Sequence, residues 1–335
     1  MSWQSRDDLG LEIIAEVHDA LKVDSYWAVD LPRGFMWWAE EFCQKVWADA
    51  GMFQNAQSVF RLHTETELLR GRGRAQQFEL ALANEMKNAT LSAVCYDGER
   101  DLYLLHTSAY VTGENLEWLK RLFLGATALQ VDLAHTIGHD LAKTLHAIPA
   151  TSGHPDHGLR SKPDPMLGAI ENYFKPNGQA PSRWTDSPEW KETEWAMDRQ
   201  ADRFESDHRT YAKAYFGWSI SAEPITLHVS SEIPHPVLGN GLNLVLKLPL
   251  KLSPERCAHT AMELNNIERK EWLRCQMMGS WGFDDGMLQF ECFVPNVLHH
   301  EGVLMSTALT MAIRAQWVSE QFRQWLQAAR SHAEA

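Results

Sequence analysis

The sequence lacks the features by which several protein classes declare themselves. Its five cysteines (Cys43, Cys95, Cys257, Cys275, Cys292) are odd in number, widely spaced and never in a Cys-x-x-Cys pair, which argues against a disulfide framework or a zinc finger. No apolar run approaches the ~18 residues of a membrane helix. The first ten residues carry Arg6, Asp7 and Asp8 in place of an apolar segment, so no secretory signal is expected. Basic residues are in deficit, with 31 Lys and Arg against 44 Asp and Glu and a net charge of -13. Sequence-independent binding to nucleic acid, which needs a basic face to neutralise phosphates, is therefore not expected. Also missing are a G-x-S-x-G elbow, a phosphate-binding glycine loop with Walker or dinucleotide spacing, and an H-E-x-x-H pair. The expected setting is a reducing cytoplasm, with the thiols as small buried groups and no cofactor.

What remains is a globular composition, 44% hydrophobic and 22% charged, with an unusual 14 Trp among 335 residues. That length favours two domains of ordinary size. Seven of the 14 prolines fall between Pro149 and Pro188, where neither a long helix nor a central strand can form. The expected division is a first module over 1–148, a Pro/Gly-rich connection over 149–188 and a second module over 189–330. Within the connection, Met166 to Phe174 reads as one short helix that docks on a neighbouring surface.

Periodicity predicts the elements. The first half reads as a helix over Asp7 to Leu21, strands over Phe35 to Ala48 and Val59 to Leu69, a helix over Gln76 to Lys87, strands over Leu91 to Tyr96 and Leu102 to Val111, and a long helix over Asn115 to His146. In Val59 to Leu69 the residues Arg61, His63, Glu65 and Glu67 alternate with Phe60, Leu62, Thr64, Thr66 and Leu68, which predicts a sheet with one face in water. The second half reads as a helix over Asp186 to Tyr215 with a capping box at Asp186 and Glu189, a strand through Ile225, Leu227 and Val229, and a strand over Leu242 to Leu252. Pro249 inside that last strand predicts an edge or a bulge. A helix over Pro254 to Trp272, strands on either side of Asp285 and Gly286, and a helix over His300 to Ala329 complete it. Each half thus runs helix, two strands, helix, hairpin, helix.

The middle helices carry matching segments, Leu80 to Asn84 and Ala261 to Asn265, each followed by a hairpin with an Asp-Gly turn. This pattern resembles the YbjN family, which shares its fold with type III secretion chaperones; it covers about 75–110 and 255–325, although the spacing from Asn to the Asp-Gly turn differs between the halves. The resemblance implies an α+β fold of two helix–antiparallel sheet–helix modules forming an intrachain pseudo-dimer, as a monomer or a homodimer. It also implies a non-enzymatic, chaperone-like or adaptor role in binding a polypeptide through a sheet face or a helix-lined groove.

The aromatic residues Trp37, Trp38, Phe42 and Trp47 and the basic loop of Arg70, Arg72 and Arg74 are the candidate partner-binding residues. Adjacent Trp37 and Trp38 must point to opposite faces of a strand, so at most one is expected in a one-sided core. Two rival readings come from other classes. Asp132, His135 and His139 share one helix face, a pattern that suits a metal-dependent enzyme. A structural subunit of an obligate complex would instead bury the aromatic surface against its neighbours. Cys257 beside Arg256 reads as a buried thiol in preference to a nucleophile.

Overall fold

The computed structural model describes residues 8–54, 57–71, 73–176, 180–220, 223–271 and 275–333. The first helix, α1 (Leu9–Ala20), starts where the Asp8 carboxylate accepts the Leu11 backbone N–H at 3.0 Å and buries Ile13, Ile14 and Val17. Five strands follow: β1 (Ala28–Leu31), β2 (Gly34–Trp38), β3 (Cys43–Ala48), β4 (Met52–Gln54) and β5 (Gln57–Arg70). Helix α2 (Gln76–Glu85), the hairpin of β6 (Ala93–Asp97) and β7 (Leu102–Val111), helix α3 (Leu116–Thr144) and a short β8 (Ile148–Pro149) complete the first half. Its sheet has the order β1-β2-β3-β5-β7-β6, with β4 and β8 also pairing with β5.

The connection carries helix α4 (Pro165–Phe174), as expected, capped by Asp164 and burying Leu167, Ile170 and Phe174. The second half comprises α5 (Glu189–Asp198), β9 (Arg203–Ser206), β10 (Tyr211–Ser219), β11 (Pro224–Ser230), β12 (Gly241–Lys251), α6 (Pro254–Lys270), β13 (Ser280–Asp284), β14 (Met287–Pro295) and α7 (Val303–Ala333). Its sheet has the order β9-β10-β11-β12-β14-β13. Both halves are therefore a meander followed by a helix and a hairpin whose second strand joins the meander's last, and every strand pairing described is antiparallel. The molecule is an α+β protein with two antiparallel sheets, each with a long helix on its inner face.

Four expectations are corrected. The single helix over Asp186 to Tyr215 is instead a ten-residue helix followed by a hairpin. The helix ends at Asp198, and Asp207 builds the turn between β9 and β10: its carboxylate accepts the backbone N–H groups of Arg209, Thr210 and Tyr211 at 2.8 to 2.9 Å, and His208 takes a φ of 63°. Asp186 and Glu189 form no capping box, because Asp186 pairs with Arg209 while Glu189 reaches across to accept the Met305 N–H near the start of α7. The aromatic strand over Phe35 to Ala48 is two strands with a turn at 39–42. The polar face of β5 is not in water: Arg61, His63 and Glu65 are only 4%, 5% and 8% exposed. By contrast, Pro249 does lie in a bulge, since the β12–β14 register shifts between Lys247 and Lys251.

The connection over 149–188 is also part of the packed structure. Pro149 pairs with Leu69 of β5, Arg160 donates to the Trp38 carbonyl at 2.7 Å, and Trp184 is fully buried. One continuous cluster of buried apolar residues runs through both halves, from Ile13 and Leu122 to Leu244 and Met311.

Candidate binding groove

The two halves meet where α2 packs against α6. Glu79, buried on α2, accepts from Arg74 at 2.5 Å and from His259 of α6 at 2.7 Å, and Arg74 also pairs with Glu263 of α6. The two helices differ in length, 10 residues against 17. At about 1.5 Å per residue α6 is the longer by roughly 10 Å, and its last turn lies on the outer face of the first sheet. There Arg61 donates to the carbonyls of Glu268 and Arg269 at 2.8 and 3.3 Å, and Arg269 donates to Glu65 at 2.6 Å. Glu65 in turn accepts from His106 at 3.1 Å, and His63 donates to Asp49 at 3.0 Å. Burial pushes the His106 imidazole down to about 4, against the pull of Glu65, and lowers His63 as well. Burial by itself would raise the Glu65 carboxyl, but the hydrogen bonds from His106 and Arg269 hold it well below the usual carboxylate range.

On the second sheet the corresponding face stays open. Helix α2 stops at Glu85, and a groove of about 370 Å³ lies between it and the sheet. The size falls within the usual range of ligand sites. Leu82, Ala83 and Met86 of α2 form one wall and Ala258, Ala261 and Met262 of α6 the other. The floor is the outward row of each strand: Asn243, Val245 and Lys247 on β12, Gln289, Glu291 and Phe293 on β14, and Gly282 and Asp284 on β13. These residues are outward because Leu242, Leu244, Leu246 and Leu248 take the inner face.

His235 closes one end. Its Nε2–H donates to the Asn88 carbonyl at 3.1 Å, while its Nδ1 accepts the N–H groups of Val237 and Leu238 at 3.2 and 3.1 Å. That pattern fixes a neutral tautomer, and burial lowers the ring's basicity further. Asn265 braces the far wall, accepting the Trp281 N–H at 2.9 Å and donating to the Trp281 and Val94 carbonyls at 3.2 Å. On the floor the Asn243 amide donates to Glu291, whose side chain is exposed to the groove; partial desolvation there, with the charge of Asp284, raises its carboxyl against the Asn243 hydrogen bond and the field of Lys247. The Asn243 Oδ1, on a residue only 7% exposed, has no hydrogen-bond partner. No cysteine lines the groove, and its one histidine has both ring nitrogens engaged. The arrangement is suited to holding a ligand.

The candidates picked from sequence lie elsewhere. Trp37 and Trp38 do point to opposite faces, but both are buried. Trp37 donates to Gln44 at 2.8 Å inside the core, and Trp38 donates to Ser152 at 3.1 Å under the connection. Phe42 is buried against Gly138 of α3, whose missing side chain leaves room for its ring. The partner surface expected of these three residues is therefore covered by the chain itself. Trp47, half-buried, stacks on His63 at 4.6 Å with Lys45 over its ring. Arg70 pairs with Glu67 at 2.6 Å, Arg74 joins the two halves, and Arg72 lies outside the described residues.

On α3, His135 pairs with Glu40 and His139 with Glu41, at 2.8 Å for the second pair. Burial, with Glu171 nearby, raises the Asp132 carboxyl to about 6. Among the described residues no three His, Cys, Asp or Glu side chains are grouped so as to hold a metal. All five thiols are buried, and burial raises that of Cys257 in spite of its place near a helix start. No described helix is long and apolar enough to cross a membrane.

The groove escaped sequence reading because its floor is the unremarkable half of an alternating strand and one of its walls, α2, comes from far away in the chain. The polar residues Asn243 and Lys247 among the leucines of β12 were the available signal. No family model, curated protein or solved structure matches the chain.

Proposed function

We propose that the protein is a non-enzymatic binding module, chaperone-like or adaptor-like, that holds a segment of another polypeptide in the groove between α2 and the second sheet. The observation that carries this reading is the unpartnered Asn243 Oδ1 on the floor of an open groove. A buried acceptor without a donor costs about 1–3 kcal/mol, and a ligand that supplies the donor removes that cost. A sheet floor with helical walls is also the kind of surface that the likeness to YbjN proteins and secretion chaperones implies. The shared strand order and the α2–α6 contact support the accompanying view of two copies of one module paired within a chain.

Panning a phage-displayed library of random 12-residue peptides on the full chain tests the proposal. Peptides retained by the native protein and lost with Ala83→Trp, which places an indole in the groove, are the expected result. Enrichment that ignores this substitution, or no enrichment at all, would overturn it. Should Ala83→Trp unfold the chain by circular dichroism, Gln289→Trp blocks the groove from the floor.

A further inference from the structure

The molecule contains a filled version of the arrangement that lies open in the groove. Strands β6 and β13 each span five residues, each opens a hairpin, and each ends on an aspartate, Asp97 and Asp284. The pairings Ala93 with His106 and Ser280 with Glu291 put Glu291 at the hairpin position that His106 holds in the first sheet. The pairings Glu65 with His106 and Val245 with Glu291 show that the carboxylate has moved one strand over. In the first sheet, Glu65 and Asp97 are bridged by one guanidinium: Arg269, from the last turn of α6, lies 2.6 Å from Glu65 and 3.6 Å from Asp97.

In the second sheet the two carboxylates are present and the guanidinium is not. Asp284 and Glu291 both line the groove, and among the described residues neither takes part in an ion pair within 4.0 Å. Helix α2 ends before it reaches them and brings no arginine. A cation also lines the groove, Lys247, on the floor itself. Glu291 also accepts from Gln289 at 3.4 Å and from the Asn243 amide, which leaves the Asn243 Oδ1 unpartnered beside it.

We propose that the groove takes an arginine side chain of the bound polypeptide, with its guanidinium set between Glu291 and Asp284 and one N–H directed to the Asn243 Oδ1. This rests on the reading of the groove as a polypeptide site and specifies what that polypeptide must carry. A guanidinium has five donors in a rigid planar fork, enough to serve two carboxylates and an amide oxygen together, whereas an ammonium is a point charge with three donors. The chain's net charge of -13 favours the approach of a basic segment.

The test uses the full chain and the library-selected peptides that depend on an unblocked groove. Each is resynthesised with its arginines replaced by citrulline, which keeps the shape and removes the charge, and binding is read by fluorescence anisotropy in low salt. The expected result is that the selected peptides share an arginine, that citrulline weakens them at least tenfold, and that Glu291→Gln and Asp284→Asn each cause a similar loss. Groove-dependent peptides that bind equally well with citrulline would overturn the arginine assignment and leave the polypeptide reading standing. No groove-dependent peptide would overturn both. Concentration-dependent self-association of the native protein that vanishes with Glu291→Gln would also overturn the proposal, by making a second copy of the chain the occupant.

Discussion

Glu268 and Arg314 meet under the second sheet as a bidentate pair, both contacts at 2.8 Å, with each side chain 1% exposed. Trp281 donates to the same carboxylate at 2.6 Å, and Phe290 lies against the guanidinium at 3.7 Å. Removing one partner strands the other charge in the interior. Arg314→Leu should therefore cost about 3–5 kcal/mol, read from the urea midpoint, while Arg314→Met combined with Glu268→Leu should recover at least half of that. His106 gives a pH signature. It faces Glu65, His63 and Arg269, and its folded value near 4 lies below the ordinary 6.5. Unfolding then takes up a proton between those values, so this contribution is complete above about pH 6.5 and lost as the pH falls toward 4. Glu65, held low by its partners, adds a loss in the same direction on acidification. Thermal unfolding across this range should show a steep fall in Tm that His106→Gln makes shallower, by on the order of 3 kcal/mol at most.

At the scale of elements, the sequence showed most of the regular structure, and the misreadings have local causes. Long helices and strongly alternating strands were visible because one side of each faces a core. The helix expected over Asp186 to Tyr215 failed because Ala201, Phe204, Tyr211 and Tyr215 keep helical spacing while Ala212, Ala214 and Phe216 keep strand spacing, and only the turn at Asp207 decides between them. Glu189 shows a related limit, since its acceptor role is directed at a helix that begins more than a hundred residues later. Burial raises its carboxyl, partly offset by the N–H groups of Met305, Gly302 and Leu304. Glu189→Ala should cost about 1–2 kcal/mol, as the loss of a helix cap does, and Glu189→Gln, which keeps an acceptor oxygen, should cost less. Chemical denaturation of both variants checks this.

For the molecule as a whole, the middle helix, the hairpin and the long last helix of each half were legible; the number of strands before them, five and four where two were expected in each half, and the way the halves cover each other were not. Alternation shows which residues of β5 share a face. It cannot show that Arg61, His63 and Glu65 are roofed by a helix end 207 residues away from Arg61. The same blindness left open whether Trp37 and Trp38 are covered, where the core encloses one and the connection the other. Since one apolar cluster spans both halves and a backbone pairing joins Ser108 to Met277, thermal unfolding should be a single transition with coincident fluorescence and circular dichroism curves. Fragments 8–176 and 180–333, made separately, should each lack cooperative unfolding; two fragments that melt sharply alone would contradict this.

The roof that α6 lays over the first sheet also bears on how fast the protein reaches its final state. Contacts spanning about 200 residues close only after the chain between them has been ordered, and topologies rich in such contacts fold slowly. Before that closure the outer face of the first sheet is uncovered, and the α6 of a second chain fits it as well as the chain's own. Refolding should thus be a race between intrachain docking and exchange of halves between molecules, so that dilution raises the yield of monomer.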